Sequence, residues 1–115
     1  MSCTALIDQE LSAADVAWKA GNEGKARVCA RRAVALAAES WLARSAKPPG
    51  RGDVMDHLRR IQQDTALPLS VRQAAERLST AVTQRQAAPF TVDPISDANI
   101  VIAHLATDTR DTSLP

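Results

Sequence analysis

The chain has 115 residues, 23% of them charged, a formal net charge of +1, four glycines and no tyrosine. A chain of this length buries roughly two thirds of its unfolded surface and needs no disulfide or metal staple to fold. Its charge content and the lack of an apolar run of roughly 18 residues argue against a membrane span. Near-neutrality and sparse aromatic residues make nucleic acid an improbable ligand.

The first residues, "MSCTALIDQELSAAD", carry acids early and no basic start, so no export signal is expected and a cytoplasmic location is. Cys3 and Cys29 form no CxxC pair and have no histidine at ligand spacing. They fit reduced thiols, and neither a metal site nor a cofactor is expected.

Alanine-rich, glycine-poor composition favours helix. Residues 4–20 read as a first helix. Ile7, Leu11, Ala14 and Trp18 share its inner stripe, and Asp8, Ser12, Asp15 and Lys19 its wet one. Gly21 suits a left-handed C′ position, and Asn22 can cap the next helix. So short a link predicts an antiparallel hairpin. Helix 2 is expected over about 23–46, with Ala26, Cys29, Ala30, Ala33, Val34, Ala37 and Trp41 inward and Lys25, Arg32 and Glu39 in solvent. "AKPPGRGD" stops it. Asp53 then caps helix 3, which runs to about Asp64 with Val54, Leu58 and Ile61 inward. Ser70 is expected to cap helix 4, about 71–86, on an apolar set of Val71, Ala74, Ala75, Leu78, Ala81 and Val82. Asp93 followed by Pro94 starts helix 5, which runs to about 106. A flexible tail over 107–115 is expected. No segment alternates as a strand does. The expected fold is all-α, a single helical-bundle domain over 1–106: a long antiparallel hairpin plus three shorter helices.

Residues 21–60 hold nine cations against four acids, while each flank is net negative by two. Within helix 2, Arg27 and Arg31 stand at i and i+4 on the edge of the apolar side, where guanidinium groups are half covered. They either snorkel outward or pair with a carboxylate. Glu10 falls off the wet stripe of helix 1, and folding the hairpin brings it to the level of Ala35, about one turn from Arg31. Glu10, Arg27 and Arg31 are therefore a candidate ion pair or polar site; Glu23, four residues before Arg27, is a second partner. In helix 5, Ile95, Ala98, Val101, Ile102 and Leu105 complete an inner stripe. Ile100 points elsewhere, with Ala103 and His104 beside it. Either an earlier helix covers this second apolar side, or Ile100, Ala103 and His104 form a two-fold dimer interface.

"WKAGNEGKARVCARRAVAL" resembles a tetratricopeptide hairpin: glycine, Ala26 five residues on, Ala33 seven further. No second copy follows, whereas a solenoid needs about three. With its continuation, "GNEGKARVCARRAVALAAESWLARSA" is similar to the long second helix of HEPN-type bundles, and "DPISDANIVIAHLA" resembles a closing helix of such bundles. That resemblance covers about half of the chain. It implies a small all-α domain, often dimeric, found beside nucleotidyltransferases or acting as an RNase. RNase members carry Arg, four to six residues, then His. Arg51 and His57 match in "RGDVMDH", though at the start of helix 3 instead of a later helix. They are the candidate catalytic pair, at a spacing that eleven arginines and two histidines readily supply by chance. No phosphate loop, HExxH or Ser-His-Asp pattern is present.

Three readings follow. The first is a small helical bundle acting through protein contacts, with a homodimer as one form. The second is a HEPN-like nuclease or nucleotide-binding partner. The third is a tetratricopeptide-like peptide binder whose groove is lined by helix 1.

Overall fold

A computed structural model describes residues 3–44, 53–80 and 92–107, which form five helices with their caps and short turns, with no strand among them. The helices are α1 (Cys3–Lys19), α2 (Glu23–Arg44), α3 (Val54–Gln63), α4 (Leu69–Ser79) and α5 (Pro94–Thr107). The chain is an all-α bundle. No described helix is long and apolar enough to cross a membrane.

Local chemistry explains most boundaries. Gly21 takes φ 83°, the left-handed conformation that ends α1 at little cost only for glycine. The Asn22 side chain then accepts the Lys25 N–H at 3.2 Å and caps α2. Asp53 and Asp56 form a reciprocal capping box at the start of α3: each side chain accepts the other's backbone N–H, at 3.0 and 3.1 Å. Asp93 accepts the Ser96 N–H at 3.1 Å, so α5 starts with Pro94 in its first turn.

Helix α4 departs from expectation at both ends. It starts at Leu69 after Pro68, with no side-chain cap, so Ser70 lies inside the helix and exposed. The turn before it fixes the start: Asp64 accepts the Ala66 N–H, and Leu67 is buried. The helix also stops at Ser79, with Thr80 extended. The Ser79 and Thr80 hydroxyls both donate to the Glu76 carbonyl, at 2.8 and 3.0 Å, competing with the helical ladder. Ala81 and Val82 lie outside the described residues, as do the tail beyond Thr107 and the expected last residues of helix 2. Thr107, expected in the tail, is the last residue of α5.

Helix α2 is the central element, in contact with α1, α3, α4 and α5. Its expected inner set, from Ala26 to Trp41, is buried, and Lys25, Arg32 and Glu39 are exposed. The main core joins Val34, Trp41, Leu58, Ile61, Val71, Leu78, Val101 and Leu105 from four helices. Alanines at the α1–α2 contact, Ala14 and Ala17 against Ala26, Ala30 and Ala33, let the two backbones approach closely. Helix α1 rests on α2 with light contact to α5, and its large apolar residues Leu6, Ile7, Leu11 and Trp18 are all only half-buried.

Candidate functional site: the outer face of the hairpin

Of the basic pair of α2, Arg27 keeps the partner expected at i−4, Glu23, while Arg31 is placed differently from the sequence expectation. Arg31 turns to the end of α4, where Nε donates to the Leu78 carbonyl at 2.6 Å and Nη2 to the Thr80 carbonyl at 3.4 Å. The last carbonyls of a helix lack intrahelical partners and carry the negative end of its dipole, so they attract a cation. Burial and the neighbouring Arg27 charge lower the pKa of Arg31. Arg27 is buried more fully than expected and pairs with Glu23 at 3.6 Å. Glu10 joins neither arginine. It lines a cavity of about 200 Å³ with Arg32, Ala35, Leu36, Glu39 and Val54. The expected bridge from Glu10 to Arg31 is thus replaced by a cap on α4, which the sequence of α1 and α2 does not contain.

His57 is 3% exposed. Its Nε2 lies 3.4 Å from Glu39 Oε1, and its Nδ1 lies 3.5 Å from Arg60 Nη1. An arginine only donates and a carboxylate only accepts, so the neutral Nε2–H tautomer serves both contacts. The ring ties α3 to α2. Arg51 lies outside the described residues, so the Arg51–His57 pairing does too.

A further polar link between helices was not anticipated. Arg77 donates to Asp97 twice, Nε to Oδ2 at 3.1 Å and Nη2 to Oδ1 at 2.7 Å, joining α4 to α5. The Asp97 contact raises the pKa of Arg77. A sequence signal existed: Asp97 lies between Pro94 and Ala98 on the inner side of α5, where a carboxylate requires a partner. Ile100 and Ala103 are exposed and His104 half-buried, so they share an outer side of α5. Ile100 is the large apolar residue there, 38% exposed.

An open concavity lies along the α1–α2 hairpin. It measures about 500 Å³ and is lined by Gln9, Ser12, Ala13, Val16, Ala17 and Ala20 of α1, with Asn22 and Lys25 at the start of α2. Val16 is 66% exposed and Val28 42%. Helical periodicity puts Val28 on one stripe with Lys25, Arg32, Leu36 and Glu39. Lys25 of the groove and Arg32, Leu36 and Glu39 of the 200 Å³ cavity thus lie on one stripe of α2, on the outer face of the α1–α2 hairpin, and Val54 of α3 closes the cavity. That face carries the exposed Val16 and Val28, with Lys25 toward the turn and Arg32, Glu10 and Glu39 toward the other end. Among the described residues no group of three or more His, Cys, Asp or Glu could hold a metal ion. No family model matches this chain, and neither curated proteins nor solved structures yield a match.

Proposed function

We propose that this chain is a small helical bundle that works through protein–protein contacts made on the outer face of the α1–α2 hairpin. One observation carries the reading: a groove of about 500 Å³ with the exposed Val16 on its wall runs along a helix supported almost wholly by one neighbour. Such a face, apolar at its centre and polar at its rim, has the anatomy of a contact surface. The nuclease reading requires Arg51 and His57 in one open site. It is the weaker one, because His57 is buried with both ring nitrogens engaged.

The test compares immobilised wild type with the Val16→Glu, Val28→Glu double variant. Proteins captured from a source-cell lysate are identified, and RNA cleavage by the pure protein is assayed in parallel. The expected result is a partner held by wild type and lost by the variant at unchanged thermal stability. Capture indifferent to both substitutions, or RNA cleavage that disappears in His57→Ala, refutes the reading.

A further inference from the structure

We infer that the occupant of the hairpin's outer face is a second copy of this chain, docked antiparallel about a two-fold axis. The inference rests on the contact reading above and names the partner. Its basis is the order of side chains along the face. The chain reverses at Gly21 and Asn22, with the Asn22 N–H bonded to the Ala17 carbonyl. Residue n of α1 is therefore level with about residue 45 − n of α2. Val16 is level with Cys29, one residue from Val28, and Glu10 with Ala35, beside which it lines the smaller cavity.

The turn end of the face carries Lys25, with Lys19 offset by its bridge to Asp15 at 2.9 Å. The far end carries Glu10 and Glu39 against Arg32. The turn end is thus net positive by one and the far end, at Glu10 and Glu39, net negative by two, with Arg32 between them. A polar strip of this kind is complementary to its own reverse. A two-fold axis crossing it between Val28 and Arg32 brings Lys25 of each copy level with Glu10 of the other, one helix to the side and within reach of the lysine stem. The Arg32 stem of each copy then covers the other's Val28. Ala13 and Ala20, flanking Val16, allow close helix approach.

The size of the face sets the strength. Seventeen residues of α1 extend about 25 Å, and two adjacent helices are about 20 Å wide, so each copy offers about 500 Å². The pair would bury about 1,000 Å², the lower edge of specific interfaces, which predicts a reversible dimer.

Sedimentation velocity on the full chain, from about 10 µM to about 1 mM protein, tests this. Wild type is expected to pass from monomer to dimer within that range. Val16→Glu with Val28→Glu is expected to remain monomeric with an unchanged helical spectrum and melting midpoint. Lys25→Glu is expected to weaken association at least about tenfold, and adding Glu10→Lys in the same chain to restore it, because only a two-fold mate brings those positions together. Ile100→Glu is expected to leave the dimer intact. A wild type that is monomeric throughout overturns the inference. So does a dimer that survives Val16→Glu with Val28→Glu, or one lost in Ile100→Glu instead, which moves the contact to α5. A different protein captured in the lysate experiment, with no self-association, overturns the second-copy assignment and leaves the contact reading standing.

Discussion

Replacing Arg77 by methionine is expected to destabilise the protein more than replacing Asp97 by asparagine, although both break the same bridge. The pair is a two-bond fork at 2.7 and 3.1 Å between α4 and α5. The partners are unequally covered: the Arg77 side chain is 32% exposed and that of Asp97 10%. Net hydrogen bonds to charged groups contribute about 1.5 kcal/mol or more each, so two amount to about 3 kcal/mol. Solvent at the guanidinium screens part of this, leaving a coupling of about 2 kcal/mol. Arg77→Met keeps most of the stem and strands a carboxylate in the core, which costs about 3 kcal/mol. Asp97→Asn keeps the shape and one acceptor, and its arginine can turn to water, so about 1.5 kcal/mol is expected. The double variant should lose about 2.5 kcal/mol, less than the sum of the single losses. Urea unfolding of the four proteins measures the cycle, and thermal melts should show a shift of roughly 8 °C for a loss of about 2 kcal/mol. A coupling below about 0.5 kcal/mol, or Asp97→Asn proving the costlier change, refutes the argument.

Three further outcomes follow from the same structure. Arg31→Met should cost about 2 kcal/mol by uncapping α4, while Glu10→Gln leaves the melting midpoint within about 1 °C of wild type; equal losses from both would restore the cross-hairpin bridge. Gly21→Ala should cost about 1 kcal/mol in urea unfolding, and Gly21→Asn less. An added Cβ meets nothing within 4 Å, so the penalty is that of the left-handed backbone, and a steeper loss would mean a hidden clash. The Asp56 carboxyl should titrate below the usual range, held down first by the Arg59 side chain and then by the Asp53 N–H. A depressed folded-state pKa stabilises above the ordinary carboxylate value of about 3.9 and is lost as pH falls through the lower one. Carboxyl NMR titration checks this, and Arg59→Ala should move the midpoint back up.

The sequence by itself determined the helices and most of their ends. The all-α fold, the hairpin, the Gly21 reversal and the caps at Asn22, Asp53 and Asp93 are local: each depends on φ preferences or on a side chain reaching a backbone group three residues away. The inner stripes of α2 and α3 were legible for a similar reason, since burial follows a 3.6-residue period. The start of α4 was not, because a buried Leu67 and an Asp64 turn overrode the more obvious Ser70. The Glu23–Arg27 pair was legible as an i, i+4 spacing, but tertiary structure decided the partners of Arg31 and Arg77. Arg31 could have met any acceptor within reach of α2; only the docking of α4 brought the Leu78 and Thr80 carbonyls there. The His57 ring meets Arg60 within α3, and only the packing of α3 on α2 brings Glu39 to its other nitrogen. The hairpin's outer face was legible on α2 alone, as the wet stripe of Lys25, Arg32 and Glu39. The groove beside it emerged only when α1 and α2 residues 12 to 25 apart in sequence came to one level in space, which no periodicity within a single helix encodes.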